Sequence, residues 1–166
     1  KRATSLLEPQ IASKKVLIRE DERGMVISLL GDTFFGPGDA QLLPETKEVL
    51  SQVALLILDM KNLMQMDNKI EIEGFADAGQ INPSSPYYHR FPTNLDLASA
   101  RSNNVVKYFW GSGIEPIRMY QGKAYAKFKS VSLGEFQPME ENISPEHRAY
   151  NRRVDIIILR EEEGKW

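Results

Sequence analysis

Apolar residues recur along the chain in two rhythms, and the changes of rhythm divide it into strands and helices. Val16-Leu17-Ile18 and Met25 to Leu30 stand on either side of Asp21-Glu22-Arg23-Gly24. Two short apolar runs about a polar turn that ends in glycine predict a β-hairpin, with its second strand buried. Farther on, Val49, Leu50, Val53, Leu56, Ile57 and Met60 return at three and four residues, the spacing of a helix with one stripe on the core. Pro44-Glu45 opens that helix, because proline loses no needed N–H in a first turn and a carboxylate suits a helix N-terminus. Its end is expected between Asn62 and Met66. Lys69, Glu71 and Glu73 then alternate with Ile70, Ile72 and Gly74, the period of a half-buried strand whose acids face water.

Thr93 stands three residues before Asp96, the arrangement of a helix N-cap, and the helix it starts is expected to reach Trp110, ahead of Gly111-Ser112-Gly113. Residues 31–43 and 78–92, rich in glycine, proline and other turn formers, are expected as loops. Ile117 to Gly122 and Val154 to Leu159 predict strands, and 128–145 looks irregular. Residues 1–14 mix Leu6, Leu7 and Ile11 with Pro9 and polar groups, a pattern that predicts a connector. The order ββαβαββ points to an α/β (α+β) two-layer sandwich, with two helices on one face of a mixed sheet and an N-terminal hairpin. The expected division is a connector at 1–14, one domain at 15–160 and a tail at 161–166 that includes Glu161-Glu162-Glu163.

Composition narrows the function more than the fold. The 166 residues carry 21 basic and 23 acidic side chains, for a formal charge of −2, so no basic excess favours nucleic acid as a partner. Cysteine is absent, which removes disulfides and thiolate metal sites. The longest apolar run, Val53 to Leu58, is far short of the about 20 residues that span a bilayer. The two histidines, His89 and His147, have no ligand spacing around them, so neither a metal, a cofactor nor a catalytic base is expected. Glu71 and Glu73 lie on one side of a strand and read as solvated rather than as a glycosidase pair.

One residue breaks the pattern of the second helix. Asn94, Leu97, Ala98, Arg101, Val105, Tyr108 and Phe109 share a side at 100° per residue, which puts Arg101 inside an apolar stripe. It reads either as an arginine whose stem covers the core while its head stays in water, or as a guanidinium turned towards a ligand. Asp77 follows the strand 70–75, where α/β sheets present binding residues. A carboxylate and a guanidinium in one site suit a zwitterion, the acid taking an ammonium and the arginine fork a carboxylate; a plain Asp77–Arg101 ion pair is the other reading. Tyr87, Tyr88 and Phe91 read as packing for the long loop more than as a stacking surface.

Three spaced stretches, Ile72-Glu73-Gly74-Phe75-Ala76-Asp77, Asn94-Leu95-Asp96-Leu97-Ala98-Ser99-Ala100-Arg101 and Arg148-Ala149-Tyr150-Asn151-Arg152-Arg153-Val154, resemble the OmpA-like peptidoglycan-binding domain over about residues 25–160. Arg90-Phe91-Pro92-Thr93-Asn94 and Phe35-Gly36-Pro37-Gly38-Asp39-Ala40 make the chain similar, within that class, to the periplasmic domain of flagellar stator subunits of the MotB type. The resemblance implies a non-catalytic anchor in which Asp77 and Arg101 hold the diaminopimelate of the stem peptide, Asn94 and Arg152 assist, and Gly38 offers its backbone. It also implies a periplasmic domain of an inner-membrane protein, a homodimer, and a MotA-like channel partner reached through an upstream membrane segment. Two alternatives share the resemblance. One is an envelope-tethering domain of the OmpA or lipoprotein kind. The other is an interaction module without wall binding, suggested because Phe75-Ala76 stands where the class carries His-Thr; a second departure from the class is Gly122-Lys123-Ala124-Tyr125 in place of Gly-Tyr-Gly-Glu.

Overall fold

The computed structural model describes residues 2–12, 15–30, 34–36, 38–76, 90–134 and 152–160. In chain order the elements are α1 (Arg2–Leu6), α2 (Glu8–Ala12), β1 (Val16–Glu20), β2 (Gly24–Leu30), α3 (Pro44–Met64), β3 (Ile70–Phe75), α4 (Asn94–Gly111), β4 (Ile117–Tyr120), β5 (Lys123–Ala126), β6 (Phe128–Gly134) and β7 (Arg153–Leu159). Five strands make one sheet in the order β1-β2-β7-β3-β6. Its first three pairings are antiparallel and β3–β6 is parallel, so the mixed sheet and the hairpin at its edge are as the sequence predicts.

The helix boundaries follow their local chemistry. Pro44 begins α3, and Gln65, at φ 55°, ends it in a left-handed cap whose N–H bonds to the Met60 carbonyl. All six residues of the predicted α3 stripe are buried. They meet Ile27 and Leu29 of β2, Ile70 and Ile72 of β3, Val154, Ile156 and Ile158 of β7, and Val105, Val106 and Phe109 of α4 in one core. Each such side chain, fully buried, contributes about 1.5–3 kcal/mol relative to exposure. The sheet and the two long helices are therefore held by apolar contact.

Four expectations need correction or refinement. Residues 2–12 fold as two short helices, and Ala3 and Leu7 join the core at 3% and 1% exposure; their apolar residues are too few for a helical stripe, and packing on the core supplies the stability that periodicity lacks. Within 128–145, expected as irregular, residues 128–134 form β6. Ser130 and Ser132 disguise it: instead of apolar contact they offer hydroxyls to α4, Ser130 to Ser102 and Asn103, at 2.9 and 2.6 Å, and Ser132 to the Leu95 carbonyl at 2.8 Å.

The strand predicted from Ile117 exists but lies outside the main sheet, in a hairpin with β5. Its two-residue turn, Gln121 and Gly122, has φ of 48° and 76°, the handedness that suits a tight hairpin. Glu71 and Glu73 do share a side, but Glu73 is 6% exposed. Alternation assigns a residue to a face of the sheet; it does not tell whether that face is wet. Here Glu73, Arg153 and Asp155 are buried on the second face, beneath partly exposed Arg19, Arg23 and Lys129. Arg23, in the β1–β2 turn, bonds to Glu73 and lies 3.7 Å from Glu71, while Lys129 of β6 reaches Glu71 at 3.3 Å. Beside them Asp155, 1% exposed, accepts from Ser28 at 2.6 Å, Arg153 at 3.2 Å and Arg19 at 3.4 Å.

Candidate functional site

Four chain segments meet where β3 ends and α4 begins. Thr93 fixes the start of α4 through a complete capping box, its Oγ1 accepting from the Asp96 N–H and the Asp96 carboxylate accepting from the Thr93 N–H, each at 3.2 Å. This sets Asn94, half-buried, as the first helical residue. The end of β3 is fixed by the Ala76 N–H, which donates to the Gly134 carbonyl at 2.8 Å. Across the sheet Val154 pairs with Gly74 and Arg153 with Leu30, so Arg152, half-buried, enters β7 at this same end.

The fourth segment is the turn at 36–40. Asp39 N–H donates to the Gly36 carbonyl at 3.0 Å, and the Asp39 carboxylate accepts from the N–H groups of Ala40 and Gln41 at 2.7 and 3.2 Å. Gly38 has φ of 66°, a left-handed conformation that glycine adopts without steric cost. Apolar contact anchors the turn from the other side. Ala40 packs with Phe91 and Leu97 in a small cluster apart from the main core. Phe91, 9% exposed, thus pins the segment before α4, as its packing reading predicts; Tyr87 and Tyr88 lie outside the described residues.

Arg101 is 4% exposed, so the reading in which its head stays in water is wrong. Its Nε donates to the Asp39 carbonyl at 2.8 Å and its Nη2 to the Gly36 carbonyl at 3.1 Å. The guanidinium also lies over the Phe35 ring, 5.0 Å from its centre. The buried cation therefore faces a preformed set of carbonyl dipoles and an aromatic ring, partners that offset its desolvation. Nothing in the sequence near Arg101 signals these partners, which lie more than 60 residues earlier in the chain.

Of the five predicted site residues, the structure brings Arg101 and the Gly38 turn into direct association. It places Asn94 and Arg152 at the same end of the sandwich. Asp77 lies outside the described residues, one position beyond Ala76, as do His89 and His147. The sequence reading missed Asp39 and Asn104, whose Nδ2 donates to the Ala40 carbonyl at 2.8 Å. Asn104 follows Arg101 by three residues, a spacing that puts two side chains on one helix face, and that was the available signal.

Phe75 and Ala76, the departure from the class pattern, are 2% and 5% exposed. The Arg153 guanidinium stacks on the Phe75 ring, 3.7 Å from its centre, while its Nε bonds to Asp155. Burial lowers the pKa of Arg153, against the opposing pull of Asp155. An apolar ring at 75 thus serves packing between β3 and β7. Among the described residues, no helix is long and apolar enough to cross a membrane.

Comparison with known proteins agrees with the fold. The pattern of the OmpA family matches residues 34–152. YtxE of Bacillus subtilis is 28% identical over 95% of the chain and 57% of its own length. The peptidoglycan-binding protein ArfA of Mycobacterium tuberculosis is 30% identical over 77% of the chain and 32% of its own. Motility protein B of Bacillus subtilis is 28% identical over 92% of the chain and 50% of its own. The chain thus spans about half the length, or less, of these curated relatives. Among solved structures, a putative MotB-like protein from Desulfovibrio vulgaris superposes with a TM-score of 0.77, at 28% identity, covering 96% of this chain and 90% of that one. The cell wall anchor of the T6SS from Pseudomonas aeruginosa shares the fold, with a TM-score of 0.74 at 22% identity, covering 96% of this chain and 97% of that one.

Proposed function

The chain belongs to the OmpA family, and from that membership we propose that it anchors a larger assembly by gripping the stem peptide of peptidoglycan without chemical turnover. The observation that carries this reading is the convergence of Arg101, the Gly38 turn, Asn94 and Arg152 at the end of β3 from which Asp77 follows. In it, Asp77 takes the ammonium of the diaminopimelate side chain and Arg101 its carboxylate. Gly38 offers backbone, and Asn94 and Arg152 flank the peptide.

The larger role we propose is that of a stator anchor of the MotB type: a periplasmic domain, carried as a dimer by upstream membrane segments that join a MotA-like channel subunit. The similarity to motility protein B and to the MotB-like structure supports it. Hydrogen bonds to charged groups contribute only about 1.5–3 kcal/mol each, so a single site would hold weakly. Two tethered copies would hold longer through raised effective concentration. In this scheme residues 1–14, whose Ala3 and Leu7 pack on the core, lead from the membrane into the wall-binding domain at 15–160, and 161–166 are a tail.

Titration of a diaminopimelate-containing muropeptide into the protein and into Asp77→Ala and Arg101→Ala tests the site. Saturable binding by the wild type that both substitutions abolish is expected. Wild-type protein that neither binds the muropeptide nor pellets with purified peptidoglycan would leave only the interaction-module reading.

A further inference from the structure

Arg101 and Asn104 stand one turn apart on α4 and reach into the same short stretch of backbone, Arg101 to the carbonyls of Gly36 and Asp39, Asn104 to that of Ala40. Three carbonyls of one turn thus point at one helix face. The two amide N–H groups that follow Asp39 are taken by its own carboxylate. The Ala40 methyl is held separately, against Phe91 and Leu97. With the Asp39 carbonyl held by Arg101 and the Ala40 carbonyl and methyl both fixed, the peptides after residues 39 and 40 each have one orientation, and Gly38, at positive φ, adjoins them.

We propose that Asn104 is a positioning residue of the binding site: its side-chain amide, bonded to the Ala40 carbonyl, holds the turn at 36–40 in the shape that presents the Gly38 backbone to the ligand. The inference rests on the wall-binding reading and adds to it a residue that touches no ligand. Arg101 fixes the first half of the turn and Asn104 the second. Were Asn104 only a tether between α4 and the loop, its loss would cost stability and leave affinity alone. As a positioning residue it acts on affinity, because a turn free to rotate its last peptide must be ordered again at each binding event.

Tyr108 supplies the control. It lies four residues beyond Asn104 and donates to the Lys47 carbonyl at 3.0 Å, a bond of the same kind from the same helix to a backbone remote from the turn. The test compares Asn104→Ala and Tyr108→Phe with the wild type by muropeptide titration, by the position of the Gly38 amide cross-peak in nitrogen–proton NMR spectra, and by thermal midpoint. The expected result is a roughly fivefold weaker muropeptide for Asn104→Ala, the worth of one neutral hydrogen bond, with a displaced Gly38 cross-peak; Tyr108→Phe binds as the wild type does and leaves that peak in place. Wild-type affinity in Asn104→Ala, or equal weakening in both variants, overturns the positioning role while the wall-binding reading stands. A wild type that does not bind overturns both.

Discussion

Gly74 of β3 lies so close beneath Ala98 of α4 that a Cβ at position 74 would stand 2.1 Å from the Ala98 carbonyl oxygen. The obstructing atom belongs to helix backbone, so no side-chain rotation relieves the clash and the helix itself must lift. The absence of one carbon thus sets the distance between the strand that leads to Asp77 and the helix that carries Arg101. Gly74→Ala is expected to destabilise the fold by about 1–3 kcal/mol, the usual cost of overpacking. It should also weaken muropeptide binding beyond what the stability loss explains. Urea unfolding, with titration under conditions where the variant is fully folded, checks both.

Arg101→Lys separates charge from shape. A lysine keeps the cation but lacks the planar fork that spans the Asp39 and Gly36 carbonyls. The variant is expected to lose about 2–3 kcal/mol of stability, the scale of hydrogen bonds to a charged group, and at least tenfold in muropeptide affinity. Native affinity with lysine would mean that a point charge suffices and that the clamp on the turn is irrelevant to binding.

Glu73 predicts a pH dependence of stability. Its pKa is pushed up from 4.5 to about 7, chiefly by desolvation, then by its hydrogen bond with Glu71, with the charges of Glu71 and Asp155 adding to the rise and Arg23 opposing it. The folded protein therefore binds a proton that the unfolded chain releases at lower pH. The contribution of this group is complete below about pH 4.5 and fades as pH rises towards 7. A shift of this size corresponds to at most about 3 kcal/mol. Glu73→Gln should flatten that part of the stability profile, measured by urea unfolding from pH 4.5 to 8; a slope identical to the wild type would assign the titration elsewhere.

Leu7→Ala tests whether the first helices belong to the folded unit. Leu7 is 1% exposed and packs in the main core, so truncation should cost about 2–5 kcal/mol, as for other buried leucines. A thermal midpoint unchanged from the wild type would show that α1 and α2 contribute no stability to the sandwich.

The sequence discloses what periodicity can carry. The stripes of α3 and α4, the buried β2 and the cap at Thr93 are written in local spacing. What it hides has a non-local cause. Ser130 and Ser132 look like loop residues because their partners, Ser102, Asn103 and the Leu95 carbonyl, belong to a helix earlier in the chain. Glu73 has the right parity for an outward residue, and only Arg23 and Asp155, brought alongside by the hairpin and by β7, reveal that outward is not wet. For the candidate site, the helix position of Arg101 was legible from the wheel, whereas the carbonyls it binds come from a turn whose shape has no signature at the arginine.

The placement of β7 governs how this protein can be assembled. Among the described strands it is the last in sequence yet the middle one of its sheet, and its partners are β2 on one side and β3 on the other, with Gly24 opposite Leu159. Among the described residues no backbone ladder joins the hairpin to β3 directly; without β7 the two are linked by side chains such as Arg23 and Glu73. Pairings so distant in sequence are expected to slow folding, since long loops must close before they form. A chain cut short before Arg153 should accumulate as two halves without a common sheet and become prey for proteases rather than a weaker anchor.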